Sequence, residues 1–274
     1  MKFYLILSLL LIQSSQLLAM DHADFKLRPI PFKAPSIKTV TGGDIQVSYI
    51  ESETGYWRTN TDVFFTDTKI KNADPKTFQF FDNTVFAMDK RRVFARETPL
   101  AGADVSSFTP LGMSYAKDKS QVYYWHNTIP KADPNSFKLV DARDAYSSDK
   151  SHVFSGYVIL KDIDPKSFQV ISGNLVKDSG GIYYISGSDK ATKIKPIKNA
   201  DPQSLALIRF SYFKDKNNIY FLSHEGELTP VPGADIESFE VFKSGWDWAK
   251  DKSHVYQDGK MKPELNPNGF SPPE

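Results

Sequence analysis

Carboxylates recur along this chain at nearly constant spacing. In one set most members follow an aromatic-x-x pattern and precede Lys: Asp89, Asp118, Asp149, Asp178, Asp215 and Asp251. A second set begins phrases such as Asp-Pro-x-Ser-Phe: Asp74, Asp104, Asp133, Asp164, Asp201 and Asp235. A catalytic carboxylate pair needs one particular environment that separates two pKa values, whereas these residues repeat along the chain. We therefore interpret both sets as structural residues of turns and caps.

Other reactive side chains form no recognisable catalytic or metal-binding motif. His152 and His254 share one repeat position, which Arg92, Gln121 and Asn218 fill elsewhere, and this indicates a turn that faces solvent. No two His have the i, i+4 spacing of a zinc protease, and there is no Gly-x-Ser-x-Gly nucleophile elbow. The chain also lacks Cys. We expect no catalytic residue, no metal and no cofactor, and hence a non-enzymatic function.

The first carboxylate set predicts a β-hairpin. In the phrase from Tyr115 to Tyr123, Asp118 suits the first position of a type I turn, where its carboxylate accepts from backbone N–H groups two or three residues on. The flanking residues are aromatic or β-branched, as strands prefer. The phrase returns at intervals of 29 to 37 residues, with Thr59 in place of Asp in the first copy.

The second set predicts a single capped turn of helix between hairpins. Asp133 has the features of an N-cap residue, Pro134 those of a first helical residue, and Phe137 begins the next strand.

Counting strands gives the architecture. One unit holds four short strands over residues 136–141, 145–149, 152–156 and 157–162. We predict an all-β repeat protein of seven short four-stranded meanders, β-propeller-like, with an open β-solenoid as the alternative. Small residues two positions before the Asp, such as Ala116, allow neighbouring sheets to approach closely. The units lie near residues 45–72, 77–102, 107–131, 136–162, 167–198, 204–233 and 238–262.

The N-terminal region has the three-part pattern of a cleavable signal peptide. Lys2 is followed by the apolar stretch Phe3–Ile12, and Ala19 marks a cleavage position. This stretch is too short to span a bilayer, no later stretch approaches that length, and a lipoprotein anchor would need Cys. We predict a periplasmic or secreted protein. The predicted division is a signal peptide (1–19), an N-terminal strap or extended segment (20–42), the repeat domain (43–262) and a C-terminal tail (263–274).

Charge excludes one class of partner. The chain has 34 Lys and Arg against 33 Asp and Glu, with interspersed signs. Nucleic acids and anionic membrane surfaces need a concentrated basic face, so we expect neither as a partner.

The repeat resembles the bacterial DKNYY family. The resemblance is carried by Asp215-Lys216-Asn217-Asn218-Ile219-Tyr220 and by the matching phrases Asp118–Tyr123, Asp149–Phe154 and Asp251–Tyr256, and covers roughly residues 55–260. No catalytic residue is carried over to this chain from the resemblance.

The unequal lengths of the units indicate where binding occurs. Two adjacent units carry longer loops between their third and fourth strands, at Ser186–Thr192 and Ser223–Glu227. Insertions in repeat scaffolds collect on one face, often the binding face, and aromatic residues such as Trp are common interface anchors. The predicted binding residues are Trp125, His126, Lys190, Lys193, His224, Glu225 and Glu227.

Three functions fit these observations. The first is binding of another protein in the bacterial envelope, for example as an immunity or inhibitor protein that neutralises a toxin or hydrolase. The second is a cell-wall or glycan-binding module that uses exposed Trp and Tyr as stacking platforms. The third is a hydrolase with a site assembled from distant loops.

Overall fold

A computed structural model of the chain describes residues 25–30, 37–42, 45–50, 55–141, 145–187, 191–245 and 247–273, and gives the backbone alone for 37–42 and 45–50. The described residues contain thirty β-strands and no α-helix. None of their segments is a helix with the length and apolarity that a membrane crossing requires. The predicted signal peptide lies outside these ranges.

The chain divides into two compact units. Unit 1 comprises the described residues up to Lys150 together with Phe154–Ile159, and unit 2 comprises Ser151–Val153 and those from Leu160 onward.

The first four repeats are short antiparallel meanders. Repeat 1 has three strands, and repeats 2 to 4 have four each. Their strands are β4 (Tyr56–Arg58), β5 (Val63–Phe65) and β6 (Thr68–Lys69); β7 (Gln79–Phe81), β8 (Phe86–Met88), β9 (Val93–Ala95) and β10 (Thr98–Pro99); β11 (Thr109–Pro110), β12 (Tyr115–Lys117), β13 (Val122–Tyr124) and β14 (Asn127–Thr128); β15 (Lys138–Leu139), β16 (Tyr146–Ser148), β17 (Val153–Ser155) and β18 (Val158–Leu160).

The last three repeats continue the pattern, with four strands each. Their strands are β19 (Gln169–Ser172), β20 (Leu175–Asp178), β21 (Gly181–Ser186) and β22 (Lys193–Ile197); β23 (Ala206–Arg209), β24 (Tyr212–Lys214), β25 (Ile219–Leu222) and β26 (Leu228–Pro230); β27 (Glu240–Val241), β28 (Trp248–Lys250), β29 (Val255–Gln257) and β30 (Lys260–Lys262). The predicted all-β fold of short four-stranded meanders is confirmed. The choice between a ring and an open stack stays a prediction.

Segments at both ends lie against the repeats. Strand β1 (Leu27–Pro29) pairs with β7 as a fifth strand of repeat 2, while β2 (Ile37–Gly42) and β3 (Ile45–Ile50) pair with each other. In the C-terminal segment, the ring of Phe270 lies 5.1 Å from that of Trp248 in repeat 7.

Side chains on the two faces of a sheet can pack against different repeats, as in repeat 2. In repeat 2, Ala87 and Phe94, the middle residues of β8 and β9, join the core cluster with Tyr56 of repeat 1. Their strand neighbours Phe86 and Val93 join the cluster shared with repeat 3. This follows from the two-residue period of a strand. Ala87 has no exposed surface, and its small side chain permits the close approach that the sequence predicted.

The two recurring carboxylates of each repeat join two turns. In repeat 3, Asp118 Oδ2 accepts a hydrogen bond from the backbone N–H of Asp104 at 2.9 Å, and Lys119 Nζ lies 2.7 Å from Asp104 Oδ2. The backbone N–H of Lys119 donates to Ser107 Oγ at 3.1 Å, and that hydroxyl donates to Asp104 Oδ1 at 2.8 Å. We call this arrangement of Asp104, Ser107, Asp118 and Lys119, and its counterparts, the Asp–Lys clasp.

The clasp recurs in repeats 2 to 7. The backbone N–H of the cap Asp donates to the turn Asp Oδ2 at 2.8–3.0 Å in every case. In repeat 5, Ser179 replaces the Lys, and its hydroxyl donates to Asp164 at 3.3 Å. The cap–turn pairs are Asp74 with Asp89, Asp104 with Asp118, Asp133 with Asp149, Asp164 with Asp178, Asp201 with Asp215 and Asp235 with Asp251.

Local bonds confirm both predicted turn types. Asp118 Oδ1 accepts from the backbone N–H groups of Ser120 and Gln121, each at 2.8 Å. At a cap, the N–H of Phe78 donates to the carbonyl of Asp74 at 3.0 Å, which closes a single turn. This turn does not continue into a helix, because the chain enters a strand at once. Repeat 1 retains only the local hairpin turn, where Thr59 Oγ1 accepts from the N–H of Asp62 at 3.0 Å.

Three of the turn carboxylates, those of Asp118, Asp215 and Asp251, have lowered pKa values although they are buried. Burial alone opposes the charged form of Asp118, but donation from the N–H groups of Asp104, Ser120 and Gln121 and from the Tyr123 hydroxyl outweighs it, so its pKa lies below 3.8. The pKa values of Asp215 and Asp251 are lowered by the same balance.

The cap carboxylates are also more acidic than usual. The Lys150 ammonium and the Ser136 hydroxyl lower the pKa of Asp133 to about 2. Lys252 and Ser238 lower that of Asp235 to about 2 in the same way.

We predict that Asp118→Asn lowers the free energy of unfolding by about 2–3 kcal/mol. The substitution removes a charge that accepts five hydrogen bonds and places an amide NH2 group beside backbone N–H donors. Urea denaturation followed by circular dichroism measures the change. The matched control is Asp67→Asn at an exposed hairpin tip, with an expected change below about 0.5 kcal/mol. Equal changes in the two variants would contradict the structural role of the clasp.

We also predict acid sensitivity. A carboxyl whose pKa is lower in the folded than in the unfolded state stabilises the fold above its unfolded pKa, and this contribution disappears as the pH falls through both values. The melting temperature should therefore be nearly constant from about pH 7 to about pH 5 and decrease towards about pH 2. Asp118→Asn should show a smaller decrease over this range. A melting temperature that rises on acidification contradicts the assignment.

Candidate functional site

The tip residues of the hairpins between third and fourth strands have an unusual backbone conformation. Thr66, Arg96 and Trp125 occupy equivalent positions in repeats 1 to 3, with φ of 51°, 52° and 54°, and Gly156 occupies that of repeat 4 with φ of 58°. A tight hairpin turn requires this left-handed conformation. Gly adopts it readily, whereas it is unfavourable for a residue with a bulky side chain. Large side chains therefore stand at two consecutive tips where Gly is the less strained choice.

The backbone of Arg96 is held from both sides. Its N–H donates to the carbonyl of Val85 at 2.8 Å. Its carbonyl lies 3.4 Å from the hydroxyl of Tyr56, which also donates to Val85 at 3.2 Å. Burial raises the pKa of Tyr56 well above its ordinary value, so this hydroxyl keeps its proton. The tip is thus attached to the preceding repeat by a buried donor.

The side chain of Arg96 lies between two aromatic rings. Its Cζ atom is 4.5 Å from the ring centroid of Trp125 and 5.6 Å from that of Phe65. Each cation–π contact contributes about 0.5–1 kcal/mol at an exposed site. Among the described residues, no carboxylate forms an ion pair with Arg96. Its charge is therefore available to a ligand.

Beside this stack is an open cleft of about 680 Å³ in unit 1. Met113 is 61% exposed, whereas Phe80 is buried. Arg28 and Asp82 also line the cleft and form an ion pair with each other. The principal lining residues are Tyr56, Phe65, Phe80, Asp82, Arg96 and Met113.

The cleft lies beside the hairpin tip of repeat 2, where Arg96 rather than a Gly lies over the aromatic ring of Phe65. At other hairpin tips a Gly lies directly over an aromatic residue in the third strand of the preceding repeat. A Cβ on Gly156 would lie 3.0 Å from the Tyr124 ring, and one on Gly226 would lie 2.1 Å from the Tyr184 ring. Arg96 stands in this position opposite Phe65. The Arg96 side chain separates the hairpin tip from the Phe65 ring. A cleft is therefore present where a Gly would allow the tip and the ring to pack closely.

Two of the predicted binding residues lie in unit 1, at a hairpin tip. Trp125 is partly buried, and its ring packs on the core cluster between repeats 2 and 3, whereas His126 is exposed. The sequence indicated Trp125 as a contact residue but did not indicate Arg96, Phe65 or Met113. Arg96 could have been identified from the sequence, because it holds the same hairpin-tip position in repeat 2 as Trp125 does in repeat 3.

Four predicted residues belong to unit 2, and Lys190 lies outside the described residues. Lys193, His224, Glu225 and Glu227 are all exposed. Glu227 forms an ion pair with Lys195 of β22. This pair and the close approach of Gly226 to Tyr184 bring the loop at residues 223–227 against the hairpin of β21 and β22.

The predicted solvent-facing histidines are partly buried. His254 Nδ1 lies 3.4 Å from the hydroxyl of Tyr256, which also binds Asp251 at 2.8 Å. Both histidines of the predicted solvent-facing turns are thus only partly exposed, and for His254 the reason is that its ring packs beside the clasp. Within the described part of the chain, no group of three His, Asp or Glu is placed to hold a metal ion.

The comparisons with known proteins identify one family. The model of the DKNYY family matches residues 56–187 and 95–224, which together extend from repeat 1 into repeat 6. No curated protein and no solved structure matches the chain.

We predict that Tyr56→Phe lowers the free energy of unfolding by about 1 kcal/mol, because it removes the buried hydroxyl that holds the Arg96 tip. Urea denaturation measures this loss. Tyr124→Phe is the matched control, because the Tyr124 hydroxyl has no hydrogen bond to a described residue, and its change should be below about 0.5 kcal/mol. A larger effect from Tyr124 than from Tyr56 would disprove the anchoring role.

Proposed function

The chain belongs to the DKNYY family, and we propose that it is a non-enzymatic protein of the bacterial envelope that binds another protein. The observation that carries this proposal is the open cleft of unit 1, where Arg96, Phe65 and Met113 are accessible to a partner. Arg and aromatic residues are enriched at protein interfaces, and Met adapts its shape to varied partners.

The use of the recurring carboxylates supports a non-enzymatic role. All six turn Asp residues are at most 7% exposed, and their oxygens accept hydrogen bonds from the surrounding turns. A general acid or base must reach the substrate, and these groups do not reach the surface. The cap Asp residues are engaged with neighbouring Ser, Thr or Lys side chains.

The signal peptide pattern supports an envelope location, periplasmic or secreted, after cleavage near Ala19. In that compartment, an immunity or inhibitor role is the concrete form of the proposal. The protein would cover a functional surface of a toxin or hydrolase. A preformed cleft on a repeat scaffold suits this task, because a rigid surface loses little conformational entropy on binding.

Glycan recognition receives less support, because each of the three tryptophans in the described part of the chain has a ring contact with a neighbouring side chain; for Trp248 the neighbour is Phe270. A sugar-stacking platform needs an open ring face. Arg96 covers one face of Trp125, which also packs on the core cluster. Trp57 stacks on Phe64 with ring centroids 4.1 Å apart and an interplanar angle of 6°. These contacts favour protein binding over glycan binding.

Affinity capture tests the proposal. We predict that the mature chain, residues 20–274, expressed in its native compartment, recovers one protein in stoichiometric amount by mass spectrometry. If the role is inhibitory, the purified partner loses its activity when the chain is added. A bait that recovers no stoichiometric protein contradicts the proposal and favours a glycan ligand.

Two matched variants locate the contact. Met113→Asp places a charge on the cleft, and Phe210→Asp places one at an exposed apolar residue of unit 2 that does not line it. We expect Met113→Asp to reduce recovery of the partner about tenfold, since burying an unpaired carboxylate opposes association, and Phe210→Asp to leave it unchanged. The reverse order would place the contact outside the cleft.

A further inference from the structure

We propose that the cleft recognises an acidic segment of the partner protein, in which one Asp or Glu carboxylate pairs with Arg96 and a neighbouring apolar side chain packs between Phe65 and Met113. The inference rests on the proposed protein-binding function and adds the chemistry of the partner. Three features of the cleft support it: its charge, the geometry of the Arg96 guanidinium and its apolar wall.

The charge of the cleft is complementary to one carboxylate. Arg28 and Asp82 are paired with each other and cancel. Arg96 forms no ion pair with a described carboxylate, although the Glu97 carboxylate also acts on the Tyr56 hydroxyl of the cleft. Arg96 is therefore the one charged side chain among the described lining residues without an ion-pair partner. A polyphosphate backbone would require several such charges in a row, and the chain as a whole has a net charge of only +1.

The geometry of Arg96 favours a planar acid. The Arg96 Cζ atom lies 4.5 Å and 5.6 Å from the ring centroids of Trp125 and Phe65. The N–H donors of a guanidinium lie in its plane, in a fork that matches the two oxygens of a carboxylate. Because Arg96 is exposed, this fork is available at the cleft.

The position of Arg96 is set before a ligand arrives. The backbone N–H is held by Val85 and the carbonyl by Tyr56, and φ is 52°. Strained conformations that the surrounding structure maintains are a recurring feature of binding sites. A cation held in this way loses little freedom on binding.

The apolar wall sets the size of the segment. Phe65 is partly buried, Phe80 forms a buried surface and Met113 is largely exposed. A volume of about 680 Å³ falls within the range of clefts that hold a single compact ligand. The cleft therefore fits a few residues of a partner rather than a whole domain face.

The test is a selection from random nonapeptides displayed on phage, against the immobilised mature chain, residues 20–274. We expect the enriched peptides to contain Asp or Glu beside an apolar residue. Selected peptides are then synthesised with acetylated and amidated termini, so that side chains are the only carboxylates. Fluorescence polarisation measures their affinities.

Substitutions on both sides of the contact test Arg96. Replacing the peptide acid by Asn or Gln should weaken binding about tenfold or more, as should Arg96→Gln, because each removes a charge-assisted hydrogen-bonded pair. Arg96→Lys should give a smaller loss, since it keeps the charge without the planar fork. The matched control is Arg91→Gln, an exposed Arg in the turn at the other end of β9, which should leave affinity within about twofold.

Three results would overturn the inference: no enriched peptide, enriched peptides without an acid, or affinities that are unchanged by both the peptide substitution and Arg96→Gln. The peptide substitution leaves the protein intact, so a folding defect in Arg96→Gln does not obscure the result. If the mature chain still recovers its protein partner, the envelope binding function stands and only the acidic-segment site is rejected. If acid-dependent peptides bind and no partner is recovered, the cleft's preference for an acidic segment stands and the envelope binding function is rejected.

Discussion

The hydrogen bond from the backbone N–H of each cap aspartate to the buried carboxylate of a turn aspartate is the contact on which the repeats depend. Most strands have only two to four residues, too few for strand pairing alone to specify a stable sheet. The clasp joins the turn before the first strand to the turn between the second and third strands. It thereby fixes the length and register of the strands between them, while the aromatic faces supply the buried area.

This constraint explains where the repeats vary. The two aspartates of a clasp are 14 to 16 residues apart in all six repeats, whereas whole units differ by up to eight residues, from 29 to 37. Length changes therefore fall outside the clasped segment, in the part of each repeat that includes the hairpin tip. The tips are consequently the positions at which one repeat can acquire a side chain or loop that the others lack, and the cleft and the long loops of repeats 5 and 6 both occur there.

Local patterns in the sequence were sufficient to predict the hairpins, the capped turns and the all-β class, since each depends on residues within one short phrase. The clasp could not be predicted in this way, because its acceptor is a side chain and its donor a backbone group some fifteen residues away. The cleft was missed for a related reason. Phe65, Arg96 and Met113 come from three successive repeats, and none is unusual in its own phrase. Trp125 was predicted to be a contact residue, and in the structure its ring lies against Arg96.

Arg96 is difficult to explain by folding alone. A left-handed backbone at a residue with a side chain costs about 1–2 kcal/mol, which Gly at the equivalent position of repeat 4 avoids. Two exposed cation–π contacts stabilise the fold by about 1–2 kcal/mol in total. They therefore offset the cost of the left-handed backbone and add little net stability. Glycine there would allow the ring of Phe65 to pack beneath the tip, as the rings of Tyr124 and Tyr184 do. What the arginine adds beyond this balance is an accessible, rigidly placed guanidinium and the space beside it, and both are properties of a binding site.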